Sequence, residues 1–210
     1  LGEQVNERGI GNGISLIIAT SIIALKQDNL KRLLAYSTIS QLSYVIIAIL
    51  ILTPSAIIAA TMHLIAHAVS KITLFFAAGA IYTSTGFTKI SEMNGIGKNL
   101  KIVTIAFTLG AMSLIGLPIL VGFTSKWYII QSAASESQWI ILSVITISTL
   151  LNIGYFTPII YKFFFNKSNA NKKFKDLPLT INFAILSCCI LMVILFLYPT
   201  LIIEVIKNVQ

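Results

Sequence analysis

Six long apolar runs, separated by short polar segments, constrain most strongly what this chain can fold into. About 18 or more consecutive apolar residues are long enough to cross a bilayer as an α-helix. The runs occupy residues 14–25, 33–52, 56–82, 102–132, 139–165 and 179–205. They predict an all-α, polytopic transmembrane bundle of five to six helices, in which the first run is too short to span unless preceding residues join it.

Composition supports the same class. Only 10% of the 210 residues are charged, whereas soluble domains carry about 25%. The net charge of +8 would suit a nucleic-acid partner, but the basic residues lie between the apolar runs, as in cytoplasmic loops of membrane proteins. We therefore expect a multi-pass membrane protein, with the lipid bilayer and not nucleic acid as its partner.

Loop charges alternate along the chain and predict its orientation. The first, third and fifth connections are rich in lysine and arginine, whereas the second has no charge and the fourth has only Glu136. The positive-inside rule places basic connections in the cytoplasm. The C-terminus is then expected on the outside.

The run 102–132 combines a helix break with a charge. Gly116 and Pro118 interrupt the helical pattern, and Lys126 follows eight residues after the proline. A charge at bilayer depth costs about 2.5–3.5 kcal/mol, and a break frees backbone groups that lipid cannot satisfy. Both features are typical of coupling-ion sites on discontinuous helices. The alternative is a lysine that extends to the membrane surface beside Trp127.

His63, His67 and Lys71 are spaced i, i+4, i+8 in the third run and therefore share one helix face. Histidine titrates near neutral pH, so such a row is suited to passing protons. Packing through helix–helix hydrogen bonds is the plainer alternative. Zinc binding is a further alternative, although no third ligand lies nearby in sequence.

The start of the second run carries three further polar candidates, Ser37, Ser40 and Gln41. They are candidates for a polar path or for helix contacts.

Three glycines, Gly9, Gly11 and Gly13, precede the first run. A phosphate-binding loop would need a preceding strand and a βαβ unit, and neither pattern is present. We therefore expect a flexible loop here.

Three segments in order resemble one known family. Residues 28–41 read DNLKRLLAYSTISQ, residues 63–71 read HLIAHAVSK, and GLP at 116–118 is followed by GFTSK at 122–126. This pattern resembles the antiporter-like membrane subunits shared by respiratory complex I and Mrp cation/proton antiporters. The family often has proline where Ile119 stands. The resemblance implies that His63, His67 and Lys71 lie on a central polar axis, that Lys126 serves the outward proton step, and that residues 19–210 are the C-terminal half of such a subunit.

The start of the chain resembles a different family. Residues 1–18 read LGEQVNERGIGNGISLII, which resembles a signature of SecY, the protein-conducting channel. In that family the segment is cytoplasmic, whereas the loop charges above place it outside. We therefore expect a junction of two unrelated sequences near Ile18.

Together these observations predict proton translocation, with possible coupling to sodium or another cation, alongside other membrane subunits. The chain has no cofactor motif and no catalytic site of its own, so any redox chemistry belongs to other subunits. The alternatives are a SecY-type translocase component and a non-functional fusion product.

Overall fold

The computed structural model describes the backbone of residues 2–167 and 174–207 and the side chains of residues 11–167 and 174–206. In these ranges the chain is all-α. The α-helices are α1 (Gly2–Leu25), α2 (Leu30–Ile49), α3 (Pro54–Thr85), α4 (Lys101–Ile115), α5 (Val121–Ser135), α6 (Trp139–Phe164), α7 (Leu179–Leu197) and α8 (Thr200–Lys207). Four of them, α2, α3, α6 and α7, are long and apolar enough to cross a membrane.

The described residues contain eight α-helices, because one apolar run is divided at the predicted discontinuity and a second run is divided near its end. The fourth run forms α4 and α5, and the sixth forms α7 and α8. Pro199 lies between α7 and α8, where its ring and its missing N–H prevent one helix from continuing. Pro158, by contrast, lies within α6, which continues to Phe164.

Helix α1 corrects one expectation about the start of the chain. The glycine-rich segment is helical and not a loop, and α1 is 24 residues long. A Cβ atom on Gly13 would lie 2.8 Å from Cγ1 of Ile47 in α2, so this glycine lets the two helices approach closely. Gly13 therefore serves helix packing.

The predicted helix break lies between α4 and α5. Gly116 ends α4 in the left-handed region at φ 93°, and its N–H donates to the carbonyls of Met112 and Ser113. Ile119 also has a positive φ, of 76°. Proline has φ fixed near −65° and could not adopt this conformation. The backbone of this break therefore accommodates isoleucine at position 119 and would not accommodate the proline that is frequent there in the family.

The three basic connections meet at one end of the bundle, which we call the basic end. Leu30 N donates to Thr88 O (3.0 Å) and Ile90 N to Asp28 O (2.6 Å), joining the first connection to the third. Gly95 N donates to Lys162 O at the C-terminal end of α6 (2.8 Å).

The fifth connection reaches the same end of the bundle. Lys175 N donates to Ser84 O (3.0 Å), and the Ser84 hydroxyl donates back to Lys175 O (2.7 Å). Lys172 and Lys173, which the loop-charge argument also placed here, lie outside the described residues. The prediction that the basic connections share one side is confirmed for the described residues.

Helix α3 is the central element of the bundle. It packs against α2, α4, α5, α7 and α8, while α6 packs against α1, α4 and α5 and touches α2. Phe107 of α4 anchors the core, with its ring 6.3 Å from that of Phe156 and 5.2 Å from that of Phe163, both in α6. This arrangement leaves the inner faces of α2, α3, α5 and α6 turned toward one another.

Candidate functional site

The histidine–lysine row lies in the middle of α3 and is buried. His63 is 2% exposed, His67 6% and Lys71 5%. A helix rises 1.5 Å per residue, so the row extends about 12 Å along α3. The structure thus places three ionisable groups in the interior of the bundle.

Lys71 is held by the start of α2. Its ammonium donates to Leu34 O (2.8 Å) and to the Ser37 hydroxyl. The same Leu34 carbonyl also accepts the hydroxyls of Ser37 (2.9 Å) and Thr38 (2.9 Å). Lys71 therefore rests on a carbonyl that has two other side-chain donors.

His63 joins α3 to α5. Its Nδ1 lies 3.0 Å from the Ser125 hydroxyl, which itself donates to Gly122 O (3.0 Å). A hydroxyl has one proton to donate, so this network assigns Nδ1 of His63 as the donor to Ser125. Its Nε2 is then an acceptor, and it has no partner among the described residues.

Lys126 is an interior residue. It is 5% exposed, and its ammonium donates to Ile115 O (3.0 Å) and, at 3.5 Å, to the Thr149 hydroxyl. The ammonium also lies 5.0 Å from the ring centre of Tyr44, a cation–π distance. These contacts rule out the alternative of a lysine that extends to the membrane surface.

The helix break is fitted around Lys126. A Cβ on Gly116 would lie 2.9 Å from Cδ of Lys126, so the absence of a side chain at this position makes room for the lysine stem. Pro118 lies between α4 and α5, outside both helices. The break and the charge that the sequence placed in one run therefore form one structural unit.

The three polar residues predicted for α2 separate into two groups. Ser37 holds Lys71, and Gln41 is fully buried, with no partner for its amide oxygen or nitrogen among the described residues. Ser40 instead lies against α1, where its hydroxyl is 2.8 Å from that of Ser21. The structure thus brings Ser37 to Lys71 and buries Gln41 in the interior, but it assigns Ser40 to a helix–helix contact.

Four buried polar residues near the site were missed by the sequence reasoning: Tyr44, Ser148, Asn152 and Tyr155. The ring of Tyr44 lies between two buried ionisable residues, 5.3 Å from the ring of His63 and 5.0 Å from the Lys126 ammonium. The available signal was Asn152, an amide inside the otherwise apolar run of α6. Its burial depends on helix packing, which the sequence does not give.

The buried charges are all potentially cationic. Among the described residues no buried aspartate or glutamate occurs, and no three His, Cys, Asp or Glu side chains come together as metal ligands do. Lys71 and Lys126 are therefore surrounded by carbonyls, hydroxyls and an aromatic ring. Such groups bind an ammonium through charge-assisted hydrogen bonds and a cation–π contact.

Comparisons with known proteins identify the family. Residues 10–152 match the family described as NADH:quinone oxidoreductase/Mrp antiporter, TM. The chain is 36% identical over 144 residues to NADH-quinone oxidoreductase subunit N of Desulforudis audaxviator, covering 69% of this chain and 29% of that protein. It is 30% identical over 164 residues to NAD(P)H-quinone oxidoreductase chain 4 of Prochlorococcus marinus, covering 75% and 30%. It thus spans about a third of the length of these relatives.

Solved structures share the fold. The Mrp complex of Dietzia sp. superposes with a TM-score of 0.89 at 19% identity, covering 97% of this chain and 46% of that one. An archaeal membrane-bound sulfane sulfur reductase superposes with a TM-score of 0.86 at 25% identity, covering 94% and 40%.

The expected SecY-like start gains no support from these comparisons. The family match begins at Ile10, within the segment that was expected to be foreign, and α1 runs without a break through Ile18. The chain is a multi-pass membrane protein that belongs to the NADH:quinone oxidoreductase/Mrp antiporter membrane family.

Proposed function

We propose that this chain is part of a membrane subunit that translocates protons across the bacterial cell membrane. The observation that carries the proposal is the pair of buried lysines, Lys71 and Lys126, on opposite sides of a polar interior. Each ammonium is bound by a backbone carbonyl and a hydroxyl. Intramembrane ionisable residues are costly, and proton relays are one of their main uses.

The proposed path runs from Lys71 through the interior of the bundle to Lys126. Lys71 lies near the start of α2, which adjoins the basic end, whereas Lys126 lies beyond the break. His63 and His67 lie on α3 between these positions, and Ser37 and Gln41 face the same interior. The proposal covers complex I-type and Mrp-type assemblies, because relatives of both kinds match.

The proposed assembly is larger than this chain. We infer that residues 19–210, with residues 10–18 that the family match adds, form the C-terminal half of the subunit. Large apolar side chains on α6 remain exposed, including Trp139 and Ile140, each 70% exposed. We propose that lipid and other membrane subunits cover such surfaces.

The experiment is Lys71→Met in the complete subunit, assayed for proton movement in membrane vesicles that contain the whole complex. Methionine keeps the length of the side chain but cannot carry a proton, so transport should be lost while assembly is retained. Lys98→Met, at an exposed lysine of the basic end, is the matched control and should transport normally. Full transport by Lys71→Met would show that the α3 row serves helix packing and not proton transfer.

A further inference from the structure

Helix α6 carries a row of polar residues that the function proposed above does not use. Ser148, Asn152 and Tyr155 are spaced i, i+4, i+7 and therefore share one helix face. Ser148 and Asn152 are 0% exposed and Tyr155 is 3% exposed. We call these three residues the α6 polar row.

One end of the row reaches the surroundings of Lys71. The Tyr155 hydroxyl donates to Oδ1 of Asn152 (2.6 Å), and it faces the side chains of Ser37 and Gln41 in α2. Ser37 is the residue that accepts a hydrogen bond from the Lys71 ammonium. Ser37 therefore connects the α6 polar row to Lys71.

The other end reaches Lys126. Thr149, adjacent to Ser148 in the chain, has its hydroxyl 3.5 Å from the Lys126 ammonium. The Tyr44 hydroxyl faces Ser148 and Thr149, and the Tyr44 ring lies against Lys126. The α6 polar row thus spans the interior from the surroundings of one lysine to those of the other.

Several polar atoms along the row have no partner. Among the described residues these buried atoms are Nδ2 of Asn152, Oγ of Ser148, the Tyr44 hydroxyl and both amide atoms of Gln41. A buried polar group left unpaired is energetically costly, and ordered water commonly satisfies such groups. Polar residues that only join helices would be expected to have found each other. A row of unpaired donors and acceptors is instead suited to holding water.

We propose that the α6 polar row, with water bound along it, carries protons between Lys71 and Lys126. The proposal rests on the proton-translocating function above and names residues that complete its path. In each transfer the Lys71 ammonium gives one proton to the hydroxyl and water chain that begins at Ser37 and Tyr155. The Lys126 amine receives one proton from the chain's far end, so the chain itself keeps no net charge.

The test uses the complete complex in membrane vesicles and compares α6 variants. Asn152→Leu keeps the number and branching of side-chain heavy atoms and removes the amide, and Tyr155→Phe removes only the hydroxyl. We expect each to slow proton translocation by about tenfold or more, a change that reflects the barrier to the transfer step. Asn152→Ser, which supplies a polar hydroxyl in place of the amide and leaves room for water, should recover most of the loss. Thr146→Val removes a hydroxyl from the exposed face of the same helix and should transport normally.

The outcomes separate this proposal from the one on which it rests. Normal rates for both Asn152→Leu and Tyr155→Phe, together with loss of transport in Lys71→Met, would overturn the α6 route alone. Normal transport in Lys71→Met would overturn the relay itself. If Asn152→Leu reduces assembly, Tyr155→Phe decides, because it removes one atom and leaves the packing of the ring in place.

Discussion

The ammonium of Lys126 donates a hydrogen bond to the carbonyl of Ile115, 3.0 Å away, and so joins α5 to the last residue of α4 across the break. The carbonyls at a helix end have no intrahelical partner and carry partial negative charge. Lys126 is therefore bound by the helix terminus that the break creates. The charge and the break stabilise each other.

We predict that Lys126→Arg impairs proton translocation strongly although it conserves charge. Arginine is not deprotonated in proteins, so it can occupy the site at Ile115 but cannot pass a proton on. Lys126→Glu should keep part of the activity, because a carboxyl group binds and releases protons. The measurement is the initial rate of proton movement in vesicles with each variant in the complete complex. Normal pumping with arginine would make Lys126 a fixed charge.

The Tyr44 ring provides a second prediction. A cation–π contact with a lysine is worth about 0.5–2 kcal/mol, depending on desolvation. Tyr44→Phe keeps the ring over Lys126, whereas Tyr44→Leu removes it. We expect proton translocation to fall further in Tyr44→Leu than in Tyr44→Phe, with similar amounts of assembled complex. Equal rates in the two variants would show that the ring does not act on Lys126.

A third prediction concerns the packing of the break. Gly122 lies against Ser113, whose hydroxyl accepts from Gly122 N (3.3 Å), and a Cβ on Gly122 would overlap the Ser113 carbonyl. Gly122→Ala should therefore destabilise the contact between α4 and α5, by about 1–3 kcal/mol for an overpacked site. Thermal unfolding of the purified complex measures this change.

Gly79→Ala is the control for that prediction. Gly79 also lies in a membrane helix, but a Cβ there has no atom of another group within 4 Å. The melting temperature of the complex with Gly79→Ala should not decrease. Equal destabilisation by both substitutions would mean that glycine as such, and not the close approach at Ser113, governs stability.

Orientation in the membrane is a fourth prediction. The test introduces one cysteine at a time, either at Lys98 of the basic end or at Ser135, the last residue of α5. Both positions are exposed. Cys188 and Cys189, which are free thiols, are first replaced by serine and alanine. An impermeant thiol reagent should label position 98 only from the cytoplasm and position 135 only from outside. The reverse pattern would invert the assignment for every helix.

The sequence predicted what depends on local pattern and on charge. The break at Gly116 and Pro118 and the common side of the basic connections follow from periodicity and loop charge, whereas the residues alone left open whether Lys126 is buried or reaches the membrane surface. The sequence did not show which way a polar side chain points within a buried helix. Ser40 and Gln41 are neighbours in α2, yet Ser40 contacts Ser21 of α1 and Gln41 lies near Tyr155 of α6, because helix packing divides the two faces.

The start of α1 shows a different limit of prediction from sequence. Glycine-rich and polar residues favour a loop on propensity alone, but contact with a neighbouring helix can override propensity. Gly13 is helical and lies against Ile47 because its missing side chain allows the approach. Asn152 was missed for a related reason, since one amide in an apolar run gives no indication of its neighbours.

The Leu34 carbonyl has a consequence for how Lys71 can work. Because the hydroxyls of Ser37 and Thr38 also donate to this oxygen, it stays hydrogen-bonded when the lysine turns away or gives up its proton. A carbonyl that depended on Lys71 alone would be left without a donor each time the lysine left, and would hold it in place. Shared donors lower the energy difference between a docked and an undocked lysine. If Lys71 carries protons as we propose, it can therefore return to the same position after each transfer without being trapped there.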